Sequence, residues 1–152
     1  MRELDEIVND FRKAIKLAKD NGEFRDDSRF KYFPKGCCDD TSYLLSEYLK
    51  RKGYKCCVVT GNHYDGDPEN NCSHTWILLK EDTVIDITGD QFKYDPVFYF
   101  NIPVYIGDET EFHKKFNENR RIETAGIQQD GSYERMLDLF QTITRYMVGE
   151  VR

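Results

Sequence analysis

The 152-residue sequence is poor in proline and histidine, with four and three residues of each, and it has no long apolar run. Nothing approaches the roughly 20 consecutive apolar residues of a membrane-spanning helix, so we expect no membrane contact. The opening stretch, MRELDEIVND, is charged and lacks the apolar core of a signal peptide. No repeat, linker or low-complexity stretch divides the chain. These absences predict a single domain, residues 1–152, in the cytoplasm.

Basic residues are outnumbered by acidic ones. The chain has 22 lysine and arginine residues and 28 aspartate and glutamate residues, for a net charge of -6. No basic stripe compensates, so we expect no nucleic-acid partner. The five cysteines are an odd number that cannot close completely into intrachain disulfides. Without a secretory signal, free thiols in a reducing compartment are the better interpretation.

The spacing of apolar residues changes from helical to strand-like along the chain. Helices are predicted from about residue 3 to 20, from Cys38 to near Gly53, around 111–119, and along the apolar face from Met136 to Met147. Strands are predicted at 55–61, 74–79, 83–88 and 97–106. The Gly-, Pro- and Asn-rich segment 63–73 reads as an exposed loop. This order predicts an α+β fold with an antiparallel sheet.

The stretch FPKGCCDDTSYLL, residues 33–45, places two adjacent cysteines at the start of a predicted helix. Unpaired backbone N–H groups and the helix dipole stabilise a thiolate at such a position. Cys38 fits this position and Cys37 nearly does. A free cysteine is more often a small buried apolar residue, and this is our interpretation of Cys56 and Cys57.

A nucleophilic thiol needs a base within hydrogen-bond reach and a group that orients the base. His113 lies in a charged helical stretch and is expected at the surface, and His63 precedes the exposed loop. His74 opens a hairpin strand in SHTW and is the better candidate. On the partner strand, Asp86 stands within the apolar VIDIT, where a buried carboxylate requires a partner.

These three motifs, GCC, SHTW and VIDIT, resemble in order the core pattern Gly-x-Cys, His-x-Trp and Asp of the papain-like and transglutaminase-like thiol enzymes. More narrowly, FPKGCC, SHTWILL and IDITGDQF resemble a group of uncharacterised bacterial proteins with the same core, over roughly residues 29–92. The resemblance implies an antiparallel sheet packed against a helix that carries the nucleophile; the N- and C-terminal helices predicted from the apolar spacing are additional to it. It implies Cys38 as nucleophile, His74 as general base and acid, Asp86 as orienting carboxylate, and no cofactor.

The resemblance fixes thioester chemistry but neither substrate nor acyl acceptor. The leading expectation is a thiol peptidase or amidase acting on a peptide, protein or small amide. A glutamine deamidase or a transglutaminase-type acyltransferase is the alternative. Papain carries an oxyanion-hole glutamine shortly before its cysteine, and FKYFPKG here has none. The backbone N–H of Cys38 is then the first donor and Tyr32 or Gln91 the second. Trp76 either walls a cleft or packs in the core.

Two other classes of function compete with the enzyme. A metal-binding module would draw four ligands from a larger set: Cys37, Cys38, Cys56, Cys57, Cys72, His63 and His74. Adjacent cysteines rarely share one tetrahedral zinc ion and no C-x-x-C motif occurs, so we expect no metal. A catalytically silent interaction domain is the other class, against which the intact Cys, His and Asp argue.

The length of the hairpin turn decides whether His74 and Asp86 share a face of the sheet, because side chains alternate with a period of two. After a two-residue turn, Asp86 would point to the other face. After a three-residue turn at 80–82, Trp76 pairs with Asp86, and the carboxylate lies one diagonal step from His74. We therefore predict an odd-length turn or a bulge between residues 79 and 84.

Overall fold

The computed structural model describes residues 3–147 and has an α+β fold. The described part contains four α-helices: α1 (Leu4–Asp20), α2 (Cys38–Arg51), α3 (Glu111–Lys114) and α4 (Tyr133–Arg145). Five strands form one antiparallel sheet: β1 (Cys56–His63), β2 (Cys72–Leu79), β3 (Val84–Asp86), β4 (Tyr105–Gly107) and β5 (Glu118–Thr124). Their order across the sheet is β4-β3-β2-β1-β5. Among residues 3–147, no helix combines the length and apolarity needed to cross a membrane.

The helices α1, α2 and α4 contribute to one apolar cluster together with side chains of the sheet. In α1 the buried residues Val8, Phe11 and Ile15 recur three and four positions apart, which places them on one face of the helix. In β2, Ile77 and Leu79 point to this cluster. Each fully buried side chain of this size contributes roughly 1.5–3 kcal/mol, so this cluster is a main source of stability.

A second cluster, which we call the aromatic cluster, contains Trp76 of β2 and aromatic side chains from the segment between residues 92 and 116. Its members include Phe92, Phe98, Phe100, Phe112 and Phe116. Because side chains alternate along β2, Trp76 and Ile77 enter different clusters. Both faces of β2 are therefore buried, and His74, two residues before Trp76, belongs to the aromatic side.

The predicted strand at 97–106 is wrong over most of its length, because only Tyr105–Gly107 pairs with β3. The Asp95 carboxylate accepts the backbone N–H groups of Val97 and Phe98, at 2.8 and 2.9 Å, and so forms a turn in place of a strand. The apolar residues that suggested a strand are instead members of the aromatic cluster.

The sequence prediction also missed β5, and it placed a helix as far as residue 119 where α3 ends at Lys114. Most β5 side chains are exposed, so ENRRIET has no alternation of apolar and polar residues. The strand forms through its backbone pairing with β1, which the pattern of its own side chains does not indicate.

The β2–β3 register agrees with the prediction of an odd-length turn. Ile77 pairs with Ile85, and the Leu79 N–H donates to the Thr83 carbonyl at 2.9 Å across a three-residue turn. The last turn residue, Asp82, has a left-handed backbone with φ of 65°, as is common in three-residue hairpins. The register prediction is therefore confirmed, and Asp86 shares a face with His74.

Gly61 allows β1 to pass close to the chain after α3. A Cβ at this position would lie 2.0 Å from the carbonyl oxygen of Phe116, which is backbone and cannot move aside cheaply. We predict that Gly61→Ala lowers the free energy of unfolding by about 1–3 kcal/mol, the usual cost of overpacking. Gly131→Ala is the matched control, because nothing lies within 4 Å of its added Cβ. Equal urea midpoints for the two variants would contradict this explanation.

Candidate active site

Helix α2 begins at Cys38, as predicted. Cys37 is the N-cap residue, and its carbonyl accepts the Thr41 N–H at 2.9 Å. The preceding Gly36 has a left-handed φ of 71°, a conformation that glycine adopts without strain. Asp39 in the first turn complements the helix dipole. The first N–H groups of a helix have no intrahelical partner, so this helix start can stabilise negative charge.

The adjacent thiols have different environments. Cys37 is fully buried, and its Sγ donates to the carbonyl oxygens of Arg29 and Lys35 at 3.2 and 3.4 Å. Burial, with the charge of Asp40, raises the pKa of Cys37 to about 12. Cys38 is only partly buried. Of this pair, Cys38 is therefore the accessible thiol, as the Gly-x-Cys resemblance implies.

His74 contacts Asp86 as predicted from the register. Nε2 of His74 lies 2.8 Å from Oδ2 of Asp86, and the two side chains are 0% and 1% exposed. Burial opposes the charged imidazole, but the charge and hydrogen bond of Asp86, with the nearby Cys38 thiol as a smaller cause, raise the pKa of His74 to about 10. Burial also opposes ionisation of Asp86, yet the charge of His74 and hydrogen bonds from His113 and His74 hold its pKa well below the usual range.

Cys38 is a second neighbour of His74. Its thiol is among the groups that raise the pKa of the imidazole. Within residues 3–147 the buried Nδ1 of His74 has no hydrogen-bond partner. Since Asp86 occupies Nε2, Nδ1 is the nitrogen left to exchange a proton with the thiol. The imidazole thus lies between a carboxylate and a thiol.

The ends of strands β2 and β3 and the start of helix α2 explain why Cys38 lies near His74. Strand β3 ends at Asp86 while β2 continues to Cys72, so β3 does not cover β2 at His74. Beside this uncovered edge, Thr75 accepts the Ser42 hydroxyl at its carbonyl and donates its own hydroxyl to Asp39. These bonds hold the first turn of α2 against the strand that carries His74.

The sequence analysis was wrong about His113, which is fully buried instead of exposed. Its Nε2 lies 2.8 Å from Asp86 Oδ2, the oxygen that also contacts His74. The apolar residues Phe112 and Phe116 indicate a buried helical face near His113. The lysines between them make this pattern hard to recognise in the sequence. The remaining histidine, His63, contacts the carbonyl of Lys115 and the carboxylate of Asp65, away from Asp86.

Gln91 satisfies the requirements for an oxyanion donor better than Tyr32. The Gly36 N–H donates to Oε1 of Gln91 at 3.3 Å, which fixes the orientation of the amide because an N–H cannot accept. Its Nε2 is buried and has no partner among the described residues. Tyr32 is 60% exposed. Trp76 is 1% exposed, so it packs in the core and does not wall an open cleft.

Arg12 of α1 fixes the segment that carries Gln91. The guanidinium donates to both carboxylate oxygens of Asp90 at 2.9 Å, and also to the carbonyls of Ile87 and Pro103. Both side chains of the pair are largely buried, at 10% and 8% exposure. A buried carboxylate engaged in this way is not free to orient His74, so Asp90 has a structural role.

One group of potential metal ligands occurs among residues 3–147, formed by His74, Asp86 and His113, whose ligand atoms lie within 4.8 Å of one another. Both Nε2 atoms already stand at hydrogen-bond distance from the same Asp86 oxygen. The atoms therefore form a hydrogen-bonded group as they stand. The cysteine–histidine ligand set considered from the sequence is not assembled in the described part of the chain.

We predict that iodoacetamide alkylates Cys38 at least about tenfold faster than any other cysteine at pH 7. Burial raises the pKa of the other four thiols, to about 12 for Cys37 and about 11 for Cys56. The measurement is site-resolved mass spectrometry over time, with Cys38→Ala as control. Faster labelling of Cys56 or Cys57 would overturn the assignment of the nucleophile.

The His74–Asp86 pair also links stability to pH. Since the folded pKa of His74 is raised from 6.5 to about 10, its contribution is complete below pH 6.5 and is lost as the pH rises toward 10. We predict that the free energy of unfolding falls between pH 6.5 and 8.5, by at most about 1.4 kcal/mol per pH unit. Urea titrations should show a much smaller decline in Asp86→Asn. An equal decline in both proteins would contradict the linkage.

Comparison of the chain with protein-family models, with curated proteins and with solved structures found no match in any of the three. The case for a site at Cys38 therefore comes from the positions of its own residues. These are a partly exposed thiol at a helix start, a buried imidazole beside it, and a carboxylate behind the imidazole.

Proposed function

We propose that this protein is a thiol hydrolase that cleaves a peptide or amide bond through a Cys38–His74–Asp86 triad on a papain-like or transglutaminase-like core. The observation that carries the proposal is the position of His74, with Nε2 2.8 Å from Asp86 and Nδ1 left for the thiol of Cys38. A nucleophile, a base and a group that orients the base are the parts that covalent catalysis by a thiol requires. The order of the motifs in the sequence supports the same reading.

The raised pKa of His74 keeps its imidazole protonated at neutral pH, so the attacking group is the Cys38 thiolate, whose proton is held on Nδ1 of His74. The imidazolium is stabilised by the Asp86 carboxylate, and the helix start favours the thiolate. The thiolate attacks the carbonyl carbon of the substrate to form a C–S bond and a tetrahedral oxyanion. When this intermediate collapses, the C–N bond breaks and the imidazolium gives its proton to the departing amine. The acyl group remains on Cys38 as a thioester.

The oxyanion requires donors aimed at the place where negative charge develops. The Cys38 backbone N–H at the first position of α2 supplies one. The second is Nε2 of Gln91, a buried amide donor without a partner among residues 3–147. Its Oε1 is held by Gly36, two residues before the nucleophile, so its NH₂ group is oriented before substrate binds.

Hydrolysis of the thioester completes the cycle. His74, now neutral, removes a proton from water, and the resulting hydroxide attacks the acyl carbon. The C–S bond breaks, the acid product leaves, and Cys38 regains its proton from the imidazolium. An amine in place of water would give a transferase with the same residues, so the assay includes an amine arm.

The test is a turnover screen with labelled peptides and small amides, with and without a primary amine. We predict that Cys38→Ala and Cys38→Ser each lower kcat/KM by at least about a thousandfold, because the nucleophile is lost or weakened. Cys37→Ser is the matched control, since a serine hydroxyl can keep the bonds to the Arg29 and Lys35 carbonyls. A loss in Cys37→Ser with activity retained in Cys38→Ser would move the nucleophile by one residue.

Variants of Gln91 test the oxyanion donor separately. Gln91→Glu retains an acceptor for the Gly36 N–H but replaces the donor with an anion, so we predict a fall in kcat of about 10²- to 10³-fold. Gln91→Leu should fall similarly, and Tyr32→Phe tests the other donor suggested by the sequence. Loss in Tyr32→Phe with full activity in Gln91→Leu would assign the donor to Tyr32. Absence of any thioester on Cys38 with all substrates would defeat the proposed function.

A further inference from the structure

We propose that His113 is a positioning residue for this triad, which holds the Asp86 carboxylate so that Oδ2 stays directed at His74. The inference rests on the proposed function, since it assigns His113 a role in orienting the same base. His113 is no candidate for the base itself, because Asp86 engages its Nε2 and Thr110 engages its Nδ1, whereas Nδ1 of His74 has no partner among residues 3–147. It acts on the thiol only through Asp86 and His74.

Three donors fix the Asp86 carboxylate. His74 and His113 both meet Oδ2 at 2.8 Å, and the Thr88 backbone N–H donates to Oδ1 at 3.0 Å. With donors on both oxygens, the carboxylate group cannot rotate without breaking a bond in a buried site. Without His113, Oδ2 of Asp86 would keep only the contact with His74. The orientation of the Asp86 carboxylate would then depend on the same imidazole that it orients.

His113 is itself held in one orientation. An ionised carboxylate only accepts hydrogen bonds, so Nε2 of His113 carries a hydrogen. Nδ1 lies 2.7 Å from Oγ1 of Thr110, which in turn accepts the His113 backbone N–H at 3.2 Å. In a neutral imidazole Nδ1 is then an acceptor for the Thr110 hydroxyl. Asp86 therefore sets the tautomer of His113, and the Thr110 hydroxyl at the N-cap of α3 supports it by donating to Nδ1.

The surroundings of the His113 ring prevent it from swinging away. The rings of Trp76 and Phe100 contact it with centroids at 4.9 and 5.6 Å. Arg120 donates to the His113 carbonyl at 3.1 Å and stacks over Trp76 at 5.2 Å. Besides Asp86 and His74, the charged or titratable side chains near the His113 ring are Arg120 and Tyr105. The ring centroid of Tyr105 lies 5.8 Å from that of His113. The His113 residue is therefore held by contacts at both ring nitrogens and at its main-chain carbonyl.

The test compares three variants by the alkylation rate of Cys38 with iodoacetamide as a function of pH. His113→Phe keeps an aromatic ring but has no donor, whereas His113→Gln retains an amide donor that can reach Oδ2. We predict that His113→Phe slows alkylation at pH 7 about tenfold and displaces the rate–pH profile upward by about one unit, as loss of a charge-assisted hydrogen bond implies. His113→Gln should recover most of the rate.

Thr110→Val is the third variant and keeps the imidazole while removing the hydroxyl that engages its Nδ1. We expect it to reproduce part of the effect, so the inference remains testable if His113→Phe does not fold. Where a substrate is found, the loss should fall on kcat with KM unchanged. Wild-type rates and profiles in all three variants, or equal losses in the Phe and Gln variants, would overturn the inference.

Two further outcomes separate this inference from its alternatives. Stoichiometric zinc in the purified protein, lost in His113→Phe, would overturn it in favour of a metal site at His74, Asp86 and His113. If no amide is turned over but the alkylation effect is present, the hydrolase assignment fails and the positioning role of His113 stands. If thioester forms and the variants alkylate like wild type, the positioning role fails and the hydrolase assignment stands.

Discussion

A carboxylate with 1% exposure is the constraint on which this structure depends. Burying an ionised group is costly unless it is paired and fully hydrogen-bonded. Asp86 meets this condition only because three separate parts of the chain converge on it. These are the β2 strand with His74, the turn after β3 with Thr88, and α3 with His113. Misplacing any of them removes one of three donors from a buried charge, so the requirement constrains strand register and loop path together.

The two faces of β2 pack against different clusters. On one face, Ile77 and Leu79 pack with the three longer helices in an apolar cluster. On the other, His74 lies among aromatic rings, including those of Phe92, Phe112 and Phe116. Low polarity around the imidazole strengthens its interaction with Asp86 relative to the same pair in water. The aromatic cluster therefore forms part of the core and also surrounds the His74–Asp86 pair with apolar groups.

The sequence predicts those parts of the site that are local or periodic. The helix start at Cys38 follows from the apolar spacing after it and the acidic residues of its first turn, and the contact of His74 with Asp86 follows from the period of a strand and the length of a turn. His113 could not be predicted in this way, because its partner is 27 residues away and two lysines follow it in the sequence. The β5 strand was missed because an exposed edge strand has no apolar face to signal it.

The Arg12–Asp90 pair connects residues 78 positions apart in the chain and fastens the segment that presents Gln91. During synthesis, α1 emerges long before its partner, and His113 emerges later still. A chain that has not yet reached residue 90 therefore holds Cys38 without the contacts of Asp90 with Arg12 and of Asp86 with His113. Under the proposed mechanism, the thiol is activated only after these distant parts of the chain have folded together.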